Sequence, residues 1–223
     1  MIRKFCVMLA LILVSGTVLA QGQMVVGTLG TQTLDFTEYF EQQDGTFDGI
    51  RVTEEWPLYG GEYHNFQVRE KMYLGASFEI GEGTAEFCVE AGCVEEDLNT
   101  WTVTGSIGRY AGSVLPFISI SASTIEIDQD EAAAEILDLN TIADRGNVEW
   151  DVDLGMWMGS PDRKFRITLD RLLSDNDVHR TVSLGTFFSV MNEYVGGIEF
   201  SYPISTESGE ESVRLAFSFG MSF

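Results

Sequence analysis

Two histidines carry most of the catalytic potential of this chain. A histidine serves as general base only beside a group it can deprotonate and a carboxylate that orients it. His64 stands beside Glu62 and Asn65, and His179 beside Asp175 and Asp177, with Thr181 and Ser183 further along. No nucleophile motif accompanies either, so each reads as a hydrogen-bonded histidine, His64 ahead of the first strand and His179 at a strand rim. Glu149, Asp151 and Asp153 recur at every second position, which puts them on one face of a strand, where they read as salt-bridge partners and not as a catalytic pair. Gly81-Glu82-Gly83 is too short and too acidic to cradle phosphate. No catalytic residue, cofactor or metal site is expected.

Sulfur chemistry depends on compartment. Arg3 and Lys4, the apolar run Phe5 to Val14, and Val18-Leu19-Ala20 before Gln21 read as a secretory signal over 1–20. That segment takes Cys6 with it. Cys88 and Cys93 remain, and in an oxidising compartment they are expected to form a local disulfide. By chain entropy so small a ring contributes about 2 kcal/mol, enough to stiffen a loop. Two sulfurs with no histidine nearby do not complete a zinc shell.

The 223 residues carry 35 acidic and 13 basic side chains, a formal charge of −22. Without Arg3 and Lys4 the remaining 203 residues hold 35 acids against 11 bases, or −24. Phosphate binding needs clustered Lys and Arg, so nucleic acid is excluded as a partner. A hydrophobic content of 44% is too high for a disordered acidic chain.

The elements that position these groups are strands. Val213, Leu215, Phe217, Phe219, Met221 and Phe223 alternate with Arg214, Ala216, Ser218, Gly220 and Ser222. The same period-two pattern fills 147–158 and 178–191, and segments near 66–80, 99–109, 114–127, 163–172 and 194–204. Eight strands follow, of the length a tilted strand needs to cross a bilayer. Long connections (81–98, 128–146) alternate with short ones (110–113, 159–162, 192–193), and the pattern puts both termini on one side. The fold class is therefore all-β, a transmembrane antiparallel up-and-down barrel over 66–223. The segment 21–65 is a periplasmic extension or an extra hairpin, with strands near 24–37 and 46–56, that would raise the count to ten.

A signal peptide followed by an alternating last strand with a terminal aromatic resembles the small outer-membrane β-barrel proteins of Gram-negative bacteria. The matching residues are Leu215, Phe217, Phe219, Met221 and Phe223. The resemblance implies two partners: outer-membrane lipid, and the barrel-assembly machinery that reads this closing strand in the family.

If the apolar parity faces lipid, the opposite parity lines the lumen with Arg69, Lys71, Glu79, Glu149, Asp151, Asp153, Lys164, Arg166, Asp170, Glu199 and Arg214. Five bases against six acids predict an internal salt-bridge network, because buried charge persists only when paired. The surplus acids then fall in extracellular loops: Glu82, Glu86, Glu90, Glu95, Glu96 and Asp97 in 81–98, and six more in 128–146. Such loops are a solvated crown or a recruiter of divalent cations or basic partners. Asp130 to Leu139 could form one short helix. Trp101, Trp150 and Tyr202 at the outer strand ends, and Tyr194 and Phe223 at the inner ends, suit interfacial girdles.

Three functions compete. The first is a non-enzymatic outer-membrane barrel with a structural or surface role. The second is a porin-like channel for small solutes or ions, and the third an exported soluble β-sandwich whose apolar parity faces a protein core. The terminal aromatic yields a direct expectation. Phe223→Asp, or deletion of Phe223, should reduce assembly into the outer membrane with little effect on export, measured by fractionation; normal assembly of either variant would refute the signal.

Overall fold

The structure, a computed structural model, describes residues 22–41, 47–68, 71–89, 92–128, 147–160, 162–174, 180–190, 193–204 and 211–223. Ten strands are formed: β1 (Gln23–Glu41), β2 (Phe47–Val68), β3 (Met72–Val89), β4 (Gly92–Arg109), β5 (Val114–Asp128), β6 (Glu149–Gly159), β7 (Arg163–Asp170), β8 (Thr181–Val190), β9 (Tyr194–Pro203) and β10 (Glu211–Ser222). Each pairs antiparallel with its sequence neighbours, and β1 also pairs with β10 from Met24↔Ser222 to Asp35↔Glu211, so the sheet closes into one barrel. The seam is finished by the terminal residue. Phe223 C=O accepts Gly22 N–H at 2.6 Å, and Phe223 N–H donates to Gln23 C=O at 2.9 Å.

The count is ten, not eight. Segment 21–65 supplies the extra hairpin, and β2 runs through 66 to Val68, so the expected strand at 66–80 is the end of β2 and the start of β3. The reason is an inverted parity. In the upper half of β1 and β2, away from the termini, Leu34, Phe36, Ile50, Val52, Trp56 and Leu58 are buried inside. Their neighbours Asp35, Thr37, Arg51, Thr53 and Glu55 occupy the other face. A rule that sends apolar residues outward does not recognise strands whose apolar residues turn inward.

The segment 81–98 is likewise not a loop. β3 and β4 stay in register up to Val89↔Gly92, with Gly81, Ala85 and Phe87 turned inward and Glu82, Glu86, Glu95 and Asp97 outward. Glu96, expected outside, is buried inside. Glu90, residues 129–146 with the expected helix at 130–139, and His179 with Asp175 and Asp177 lie outside the described residues. The first four strands have 18 to 22 residues against 8 to 12 in the last five. Since about 9 to 11 residues cross a bilayer, the surplus at about 3.3 Å per residue lifts one wall well above the rest.

The lower part of the barrel is apolar outside. Leu29, Ile120, Leu184, Phe217 and Phe219 project outward at 60%, 56%, 53%, 53% and 67% exposure. Large apolar residues scattered singly mean little, but a continuous band of them is a surface built for contact with something other than water. Trp150 and Tyr202 belong to the same face, and Tyr194 stacks on Phe219 at 6.1 Å. A β-sandwich is ruled out, because there is one closed sheet and its apolar parity faces out. No helix among the described residues is long and apolar enough to cross a membrane.

Inside, three layers follow one another. At the lower end, where the termini and the short turns lie, Phe66, Tyr73, Leu115, Phe117, Trp157 and Phe187 form an aromatic floor. Gly155 makes room there, since any Cβ at that position would run into the Phe117 ring. Above the floor is a polar layer, and above that the apolar upper core of β1–β4.

Candidate functional site in the lumen

The polar layer is built from inward positions of strands that are far apart in sequence. β2 contributes Glu62 and His64, β3 Glu79, β7 Arg166, β9 Glu199 and β10 Arg214. Arg166 donates from Nη1 to Glu62 Oε2 at 2.5 Å, and to Glu199 Oε2 from Nη2 at 2.5 Å and Nε at 3.0 Å. Arg214 donates from Nη2 to Glu79 Oε1 and lies 3.7 Å from Glu199 Oε1. Charges therefore alternate along one chain, Glu62–Arg166–Glu199–Arg214–Glu79. In a ring of ten strands β2 and β7 are opposite one another, so the first link crosses the lumen.

Hydrogen bonds complete the layer. Glu62 also accepts from Thr28 Oγ1 at 3.3 Å, and His64 Nε2 lies 3.0 Å from Glu62 Oε2. His64 Nδ1 is 2.8 Å from the Tyr73 hydroxyl. One neutral tautomer satisfies both contacts, with Nε2–H donating to Glu62 and Nδ1 accepting from Tyr73. His64 also packs edge-on against Trp157 at 5.1 Å, and the Arg166 guanidinium lies 5.2 Å from both the Trp157 and the Phe187 ring. Ion chain and floor are thus one packed unit.

A second polar group sits toward the upper rim. Asp151 accepts the Val152 and Leu173 N–H groups at 2.7 and 2.9 Å, and Asp153 accepts that of Arg171 at 2.9 Å. Asp170 accepts from Ser183 and from Thr181, the latter at 3.4 Å. Arg171 takes the left-handed conformation at φ 56°, which costs a non-glycine residue energy. Its N–H bond to Asp153 and its Nη2 bond to Ser123 at 2.8 Å hold it there.

Of the eleven residues expected in the lumen, the structure brings Glu79, Arg166, Glu199 and Arg214 into one cluster and Asp151, Asp153 and Asp170 into the other. Lys164 lies lower, its ammonium 4.3 Å above the Phe66 ring. Lys71 is instead exposed in the β2–β3 turn at φ 72°, because β3 begins only at Met72, and Glu149 is exposed at the start of β6. Arg69 lies outside the described residues. The near balance of five to six does not hold, since Glu54, Glu62 and Glu96 are also buried inside. His64 and Glu62 are in the lumen, not in a periplasmic lead-in. The signal was present in Glu54-x-Trp56-x-Leu58-x-Gly60-x-Glu62-x-His64-x-Phe66, a seven-member period-two run.

Cys88 and Cys93 face each other across the β3–β4 hairpin and are joined as a disulfide. Glu86 is close to both sulfurs. With the sulfurs bonded to each other, only that carboxylate is left as a ligand.

No family model and no curated protein matches the chain. Solved structures similar to it are Gram-negative outer-membrane β-barrels. An outer membrane channel from Pseudomonas putida F1 has 11% identity over 93% of this chain and 98% of its own, with a TM-score of 0.46. The translocator domain of the autotransporter NalP from Neisseria meningitidis has 11% identity over 99% and 95%, with a TM-score of 0.45. Neisserial surface protein A has 10% identity over 91% and 100%, with a TM-score of 0.36. A channel, a translocator and a surface protein share no role, and closure and strand count here rest on the pairing of this chain itself.

The ion chain makes a quantitative expectation. Arg166→Ala strands Glu62 and Glu199 as buried anions and should lower stability by about 3–5 kcal/mol. Arg166→Met combined with Glu62→Gln and Glu199→Gln should recover most of the loss. Urea unfolding from lipid vesicles reads both, and an Arg166→Ala variant as stable as the parent would contradict the pairing.

Proposed function

We propose that this chain is an integral outer-membrane β-barrel with a sealed lumen, exported by its 1–20 signal and serving a structural or surface-interaction role. Its task is to anchor a tall acidic β-wall outside the bilayer. The observation that carries this reading is the contrast between an exterior band of exposed Leu, Ile and Phe and an interior closed by rings and ion pairs.

Lipid supplies no hydrogen-bond partners, so a spanning sheet must close on itself, and the β1–β10 seam meets that demand. The short turns and both termini then face the periplasm, which puts the tall wall outside. Eight strands leave an interior that side chains just fill. Ten leave a wider one, and here the additional space is occupied by Trp157, Phe187 and their neighbours, with Arg166 bridging to Glu62 above them.

The outer face of the wall carries Asp35, Glu55, Glu82, Glu86, Glu95 and Asp97 among the described residues, with Arg51 against Asp35 at 2.5 Å. Glu86 and Glu95 are directly opposed across the hairpin. Like charges so placed are mutually destabilising, and a pairing that costs stability supports a surface that works through its charge. The disulfide fastens the tip of the same hairpin.

Planar bilayers test the reading. The parent protein should insert without conductance steps, whereas Trp157→Ala with Phe187→Ala, at unchanged β-sheet circular dichroism, should open a path and conduct. Steady conductance by the parent would overturn the sealed lumen in favour of a channel.

A further inference from the structure

Between the aromatic floor and the apolar upper core lies a cavity of about 180 Å³. An apolar cavity of roughly 150 Å³ is enough to hold a six-carbon ring. This one is polar. Thr102, Thr104 and Ser106 of β4 and Ser119 and Ser121 of β5 present hydroxyls from one wall. Charged groups of β6–β10 face them.

Those charges do not cancel. Five lining carboxylates, Glu62, Glu79, Asp153, Asp170 and Glu199, meet three guanidiniums, Arg166, Arg171 and Arg214, leaving two negative charges in excess with His64 neutral. One of the two lies in the ion chain, where three glutamates engage Arg166 and Arg214; the other lies above it, where Asp153 and Asp170 outnumber Arg171, whose guanidinium donates to Ser123. Asp153 and Asp170 accept only a backbone N–H and two hydroxyls, and among the described residues neither has a Lys, Arg or His nitrogen within ion-pair distance. They occupy adjoining strands, one step beyond the Leu154↔Leu169 pair. Asp153 is 8% exposed. Buried carboxylates without an ion-pair partner call for a cation, and a cavity of this volume suits an organic cation better than a bare metal ion.

Access has one direction. Asp170 ends β7 and Thr181 begins β8, so the cavity reaches the outer rim on the low side of the barrel, while the floor closes it below. Among the described residues the floor bars an exit to the other side, and the approach to the cavity is from the rim.

We propose that the upper lumen binds a compact hydroxylated ammonium solute of up to monosaccharide size. Asp153 and Asp170 hold its ammonium group, and the Ser and Thr wall of β4 and β5 holds its hydroxyls. The site makes the barrel an outward-facing receptor cup, and it depends on charge sign as well as on shape.

Three sugars of one size and different charge test it on the detergent-extracted protein by calorimetry. Glucosamine should bind, glucose should bind about tenfold more weakly, and glucuronate should not bind. Asp153→Asn with Asp170→Asn should abolish the preference for glucosamine at unchanged circular dichroism, while Glu86→Gln with Glu95→Gln on the outer wall should leave it intact. Failure of glucosamine to bind, equal binding of all three sugars, or a preference that survives Asp153→Asn with Asp170→Asn would overturn the proposal.

Discussion

Closure of the β1–β10 seam is the constraint on which everything else in the molecule depends. A sheet of ten strands with one open edge would present rows of unpaired N–H and C=O groups, tolerable in water and prohibitive in hydrocarbon. Once the seam is closed the backbone is satisfied, and the outer face is free to be apolar. The inner face must then accommodate all the polarity that the strands bring with them. The twelve-residue register from Met24 to Asp35, finished by Phe223, therefore sets the geometry in which Glu62 meets Arg166.

The lumen shows what that accommodation costs. Buried ion pairs are a weak source of net stability, because desolvation offsets most of the attraction, but removing one partner is expensive. The Glu62–Arg166–Glu199–Arg214–Glu79 chain thus acts chiefly as a specifier. It ties β2, β3, β7, β9 and β10 into one register and would be broken by a one-residue slip of any of them. The aromatic floor beneath shares Arg166 with it through two ring contacts, so the seal and the ion chain stand or fall together.

Much of the lower barrel was legible in the sequence because one physical rule operates there throughout. In β6, β8 and β10 apolar residues face outward at every second position, as the alternation of Trp150, Leu184 and Phe217 with their polar neighbours indicates. The rule reverses in the upper half of β1 and β2, where Leu34 and Val52 are buried and Asp35 and Arg51 face water. It left the hairpin at 24–37 and 46–56 as the alternative and made eight the favoured count. For the same reason the acids of 81–98 resembled a loop, although Glu82 and Glu86 lie on β3 and Glu95, Glu96 and Asp97 on β4. The site was legible only as a list of inward charges. Which carboxylate meets which guanidinium depends on register and on curvature across ten strands, and no local pattern brings position 62 to position 166.

The most direct test of the membrane barrel is gel mobility of the fractionated protein with and without boiling. The protein should be recovered in the outer-membrane fraction, as a band that runs compact when unheated and shifts to its full mass on boiling, because a closed, lipid-facing sheet resists SDS. A protein recovered without detergent, with the same mobility in both samples, would contradict it and would mean that the apolar band is covered by protein instead of lipid.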